Sequence, residues 1–162
     1  MKFINQKIGV FFWKLIITFP INFQNVLANI LFFFLKNPNL KRNIFSRKNI
    51  DAAFPNLNEQ EKINLFNKNL KSMIHGIFDT GKAWFWNDSK INSLIKYEIF
   101  GLNKLIPTKG NLLIFKHSHH LELDSRILGM HCELYGVERV HNSTFMQKVQ
   151  SMGRLKGLNA LA

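Results

Sequence analysis

The chain has 162 residues, 46% of them hydrophobic and 16 of them phenylalanine, which excludes a disordered chain and suits one domain with a buried core. Lys and Arg number 22 against 10 Asp and Glu, a formal charge of +12 that favours an anionic partner, either nucleic acid or an acidic lipid surface. The single cysteine, Cys132, excludes an internal disulfide framework and a four-cysteine zinc site.

Every charge in residues 1–50 is positive: Lys2, Lys7, Lys14, Lys36, Lys41, Arg42, Arg47 and Lys48. The same region holds the most apolar runs, IGVFFWKLIITF and INFQNVLANILFFFL. Leu15 to Leu35 is 21 uncharged residues, long enough to span a bilayer, but Pro20, Asn22, Gln24, Asn25 and Asn29 interrupt it. No small-residue cleavage site follows, so a signal peptide fits poorly. Residues 1–35 read as a membrane anchor, either a broken span or a helical hairpin lying in the interface. The basic segment from Lys36 to Lys48 then meets anionic head groups on the cytoplasmic side. The alternative is a buried N-terminal helix pair of a soluble protein. Residues 36–162 form the remaining domain.

After Pro55, Asn58 with Glu61 three residues later has the capping-box spacing of a helix N-terminus. Ile63, Phe66, Leu70, Met73, Ile74 and Ile77 recur on one helical face, which predicts a helix to about Phe78 or beyond. The stretch DTGKAWFWNDSKI concentrates aromatic rings that suit either interfacial anchoring or core packing. KYEIFGLNKLI reads as a strand with a turn at Gly101. Pro107, Lys109 and Gly110 lead into NLLIF, a run expected of a strand buried on both faces. LELDSRILGM has helical spacing, ELYGVERV reads as a strand and FMQKVQSMGRL as a second helix. Strand, helix, strand, helix begins an α/β sandwich with a parallel sheet, and the final GLNALA supplies no further strand.

Between NLLIF and the helix lies KHSHHLELD, residues 116–124, with His117, His119, His120, Glu122 and Asp124. Two histidines one residue apart can share a metal on an extended segment, with a carboxylate adding oxygen, but no cysteine pair or helical H-x-x-x-H accompanies them. The H-x4-E pair His117 and Glu122, overlapped by His119 and Asp124, suits a catalytic base and its orienting acid at a strand-to-helix turn. A carboxylate on one ring nitrogen fixes the tautomer and leaves the other nitrogen to take a proton from a hydroxyl. A solvated loop is the third reading.

The chain resembles the lipid A late acyltransferases, the lauroyl/myristoyl transferases of Gram-negative inner membranes. The resemblance runs from the apolar N-terminus through RKNIDAAFPNLNEQEK, GIFDTGKAWFWNDSKI and HSHHLELDSRILGM to GVERVHN and QSMGRLKGLNALA. In that family a catalytic histidine is followed by an L-E-L element and an arginine, which registers His117 with Glu122 and places Arg126 after them. The resemblance thus favours a base and its acid over a metal site. It implies transfer of a fatty acyl chain from acyl carrier protein to a hydroxyl of a lipid A precursor, Kdo2-lipid IVA, at the cytoplasmic face of the inner membrane. His117 would be the general base and Glu122 would hold its imidazole, while Arg154, Arg139 and Arg126 would contact substrate. No metal or small cofactor is implied, since the carrier protein brings the thioester.

Two departures bear on this. Glu138 stands where the family favours tyrosine, and VHNST replaces a proline-containing run. Family members are also about twice as long, so the resemblance covers an N-terminal half with an incomplete sheet, expected to be inactive or weakly stable alone. The rival expectation is a basic, membrane-bound binding protein without catalysis. No recognised nucleic-acid motif accompanies the charge.

Overall fold

The computed structural model describes residues 2–106 and 109–162, so Pro107 lies outside the described residues. It contains helices α1 (Lys2–Ile16), α2 (Ile21–Leu35), α3 (Lys41–Ala53), α4 (Glu59–Phe85), α5 (Asp88–Leu94), α6 (Leu121–Gly129) and α7 (Thr144–Arg154), with strands β1 (Tyr135–Gly136) and β2 (Ala160–Leu161). Two compact units emerge, Leu15–Phe78 and the combination of Met1–Lys14 with Asp79–Ala162.

In the unit Leu15–Phe78, buried amides close the helix ends. Thr18 Oγ1 donates to the Leu15 carbonyl at 2.6 Å, and Pro20, with φ −54° and ψ 148°, sets the entry to α2. The Gln24 side chain, 2% exposed, donates to the Ile17 and Phe19 carbonyls, which α1 leaves without helical partners. Asn43 does the same for the carbonyls of Leu35 and Asn37, both at 2.7 Å. The Thr18–Pro20 turn divides the apolar N-terminus into two helices of 15 residues each. Among the described residues no helix is long and apolar enough to cross a membrane, which corrects the spanning form of the anchor. α4 starts as the spacing predicts: Glu61 N donates to Asn58 Oδ1 at 3.0 Å, and Asn58 N donates to Glu61 Oε2 at 2.8 Å. Phe66, Leu70, Ile74 and Phe78 form its buried row.

The other unit is built around the tryptophans that close α4. Trp84 and Trp86 are buried with Ala83, Ile91, Leu123, Ile127 and Leu134, so they act as core and not as interfacial anchors. Trp13 of α1 meets Trp84 and Phe85 edge-on at 5.5 and 5.3 Å. Asn87 caps α5 by accepting from Lys90 N at 2.9 Å. Glycines allow two close approaches. A Cβ at Gly153 would overlap the Trp84 side chain, and one at Gly129 would overlap the Gly157 carbonyl.

β1 and β2 pair in parallel, Tyr135 with Ala160 and Gly136 with Leu161, and α7 connects them. The coarse α/β expectation holds, but helices dominate and the sheet has two short strands among the described residues. GLNALA does supply a strand, contrary to expectation, because Asn159 N donates to the Leu134 carbonyl and Ala162 N to that of Gly136. NLLIF is corrected in the other direction. It joins no ladder among the described residues, and Leu112 and Ile114 are each 89% exposed. A strand needs a neighbour for its backbone groups, and among the described residues none pairs with this one. KYEIF likewise forms no strand, while Gly101 does make the turn, at φ +82°, before a single 3-10 turn at Leu102–Lys104.

Candidate active site

The polar loop folds into the start of α6. Ser118 N donates to the Lys116 carbonyl at 2.8 Å, His120 N to Ser118 Oγ at 3.3 Å, and His120 becomes the residue preceding the helix. Leu123 and Ile127 bury the apolar face of α6, which turns Glu122 toward the Trp84 indole and α7. Glu122 accepts from Trp84 Nε1 at 2.8 Å and from Arg154 Nε and Nη2 in a forked pair. Arg154 also donates Nη1 to Glu138 at 2.8 Å.

Glu138 is held closely. It accepts from Ser151 Oγ at 2.7 Å and from the Gln150 and Gln147 amides, in addition to Arg154. Burial pushes its carboxyl up, yet these donors together outweigh burial and hold it below the ordinary glutamate value. The bond to Glu122 chiefly raises the Arg154 guanidinium above its usual range, against the opposing effect of burial.

A second cluster lies beside the first. His120 Nδ1 meets Asp79 Oδ2 at 2.6 Å, and Lys82 Nζ meets Asp79 Oδ1 at 2.7 Å. Burial raises the nearby Asp124 carboxyl, His120 lowers it and the Asp79 charge raises it again.

The expected residues divide accordingly. Glu122 and Arg154 are brought together. His117 is exposed at the loop surface, and Glu122 spends its hydrogen bonds on Trp84 and Arg154 instead of on the His117 ring. Arg126 is buried, donating to Asp88 and to the Lys156 carbonyl, so it braces α6 against α5 and the chain after α7. Arg139 is exposed. Sequence reasoning missed Asp79, Trp84 and Glu138 as partners. The i,i+3 pair Asp79 and Lys82 was the one available local signal, because His120 lies 41 residues from Asp79. Among the described residues no three His, Cys, Asp or Glu side chains converge as metal ligands. The crevice bordered by Trp84, Glu122, Ser125, Arg126 and Arg154 encloses about 10 Å³, room for one water and not for an acyl chain.

Residues 2–159 match the family model described as bacterial lipid A biosynthesis acyltransferase, a span that includes the polar loop, α6 and α7. The chain belongs to that family. A lipid A biosynthesis acyltransferase of Haemophilus influenzae is 33% identical over 155 residues, 92% of this chain and 49% of that protein. The lipid A biosynthesis palmitoleoyltransferase of Escherichia coli is 30% identical over 125 residues, 75% of this chain and 40% of that protein. The lauroyltransferase of the same organism is 33% identical over 113 residues, 67% of this chain and 36% of that protein. This family member spans about half the length of the curated relatives it matches. No solved structure matches it.

Proposed function

We propose that the acyltransferase to which this chain contributes moves a fatty acyl group from acyl carrier protein to a hydroxyl of a lipid A precursor such as Kdo2-lipid IVA. The observation that supports this best is Glu122, fixed by Trp84 and Arg154 at the start of α6, five residues after an exposed histidine, within the family match. In the proposed reaction His117 takes the proton of the attacking hydroxyl as its oxygen adds to the thioester carbonyl. The tetrahedral intermediate collapses to the ester, and the imidazolium returns the proton to the departing carrier thiolate. Substrate docking turns His117 toward Glu122, which holds the ring and steadies its charge.

Arg154, already shared between two carboxylates, acts mainly by fixing Glu122, while exposed Arg139 is free to meet a substrate phosphate or the acidic carrier protein. Arg126 serves the site through α6. The reaction needs no metal in this reading. The acyl group is one of the lauroyl, myristoyl or palmitoleoyl class.

Residues 1–35 anchor the enzyme at the cytoplasmic face of the inner membrane, lying in the interface. Phe11 and Phe12 on α1, and separately Phe33 and Phe34 on α2, are all more than half exposed, as suits helices half-sunk among lipid head groups. A chimera that replaces the matching half of the H. influenzae lipid A biosynthesis acyltransferase with the 155 residues of this chain that match it tests the assignment. Acyl transfer that falls about 10²–10⁴-fold in His117→Ala supports it. Undiminished transfer in that variant sinks it. The exposed apolar and basic N-terminus alone would also suit a non-catalytic membrane-bound binder, which predicts membrane binding but no transfer by any chimera.

A further inference from the structure

The end of α4 gathers cations that the acyl-transfer chemistry does not use. Lys14 Nζ sits 4.8 Å from the centroid of the Phe85 ring, and Lys90 Nζ 4.4 Å from that of Trp86. Lys156 Nζ donates to the Trp86 carbonyl at 3.3 Å. Three ammonium groups thus meet two consecutive residues. The Arg126 guanidinium lies close to Lys156, and the carboxylate of Asp88 is bound to Arg126. Around Lys156, positive charge from Arg126 and Lys14 outweighs the negative charge of Asp88. Its effect is visible at Lys156, whose amine is lowered by burial first and then by the charges of Arg126 and Lys14, against a weaker pull from Asp88.

We propose that Lys14, Lys90 and Lys156 form a binding site for a phosphate oxyanion, carried on a lipid head group or free in solution. The rings hold the ammonium groups in place by cation–π contact, and three compact charges suit a tetrahedral anion approached from several sides. A phosphate here relieves the repulsion that now burdens Lys156. The head-group source gains support from α1 itself, because the helix that carries Lys14 also exposes Ile4, Ile8, Phe11 and Phe12. Binding at this site needs no acyl transfer, so it stands or falls apart from the activity proposed above.

The test uses the full chain in non-ionic detergent for titration with inorganic phosphate, and reconstituted with phosphatidylcholine vesicles with or without phosphatidic acid. The triple variant Lys14→Gln, Lys90→Gln, Lys156→Gln is expected to lose affinity about 100-fold for phosphatidic acid vesicles, at roughly fivefold per lysine. The corresponding triple arginine variant is expected to keep its affinity. Should the glutamine triple fail to fold, the exposed single change Lys14→Gln carries the test, with about a fivefold loss. Loss confined to the vesicle arm assigns the site to a lipid head group, and loss of inorganic phosphate binding assigns it to free phosphate. No binding in either arm overturns the proposal, as does an equal loss in the control Lys68→Gln, Lys104→Gln, Lys148→Gln.

Discussion

Helix α4 and the run at residues 111–115 are both rich in apolar side chains, and they meet opposite fates. In α4, Phe66, Leu70, Ile74 and Phe78 are 6%, 3%, 1% and 5% exposed. In the run NLLIF, exposure alternates, with Leu112 and Ile114 at 89% and Leu113 and Phe115 at 36% and 38%. That alternation is the two-residue period of a strand, shown here without a strand's burial. The difference lies in where each element finds its hydrogen bonds. A helix closes its ladder within itself and leaves four groups at each end for local caps, such as the Asn58 and Glu61 pair. A strand borrows every partner from elsewhere. Equal hydrophobicity therefore gives a packed element in one case and a waiting surface in the other.

The largest expected effect comes from breaking the buried row of α4. Ile74→Ala removes a side chain that is 1% exposed and leaves a cavity, at a cost of about 2–5 kcal/mol. Chemical denaturation of the full chain measures it. A cost under about 1 kcal/mol would mean that this row is not close-packed.

Two carboxylates, Glu138 beside α7 and Asp124 on α6, come next through their dependence on pH. Glu138 has a folded value below its unfolded one. Its contribution is therefore present above the ordinary glutamate value and is lost as pH falls through the lower folded value. Asp124 has the opposite sign. Its raised folded value means that stability declines as pH climbs from the unfolded value through the folded one. Glu138→Gln is expected to flatten the acid limb of the stability curve, and Asp124→Asn to lift stability at neutral pH. An unchanged acid limb in Glu138→Gln would show that the donors around it do not favour the charged form.

How much of this was legible follows from the same division between local and borrowed partners. The capping box, the helical face of α4, the turn at Gly101, and helices α6 and α7 are written in neighbours within a few residues, and each was read from them. The Glu122–Arg154 pair joins residues 32 apart, and His120–Asp79 joins residues 41 apart. No spacing rule reaches that far. The resemblance supplied Glu122 and Arg154 as site residues but not their contact. The strand reading held at ELYGVERV, where β1 lies, but failed at NLLIF for a related reason. NLLIF has the composition of a doubly buried strand, yet composition records what a segment suits and not whether a partner lies beside it. GLNALA failed in reverse, since Ala160 and Leu161 carry little strand character and pair because β1 is there to receive them.

The capping box gives a smaller effect. Asn58→Ala leaves the Glu61 amide without its acceptor and is expected to cost about 1 kcal/mol. Glu61→Ala frees the Asn58 amide in turn, and the double variant should cost less than the two singles added, because the bonds are reciprocal. Strict additivity would mean that the two bonds form independently.

The smallest expected effect is the most informative about the contrast with α4. Leu112→Ser and Ile114→Ser alter side chains that touch almost nothing in this chain, so each should change stability by no more than about 0.5 kcal/mol. Were the run a buried strand, each polar replacement would cost several times that, as in Ile74→Ala. The same two substitutions should raise solubility, because an exposed apolar run invites association with other chains. Denaturation and concentration-dependent light scattering on the same samples separate the two effects. A large loss of stability with unchanged scattering would show that the run is already covered, and the contrast between the two elements would disappear.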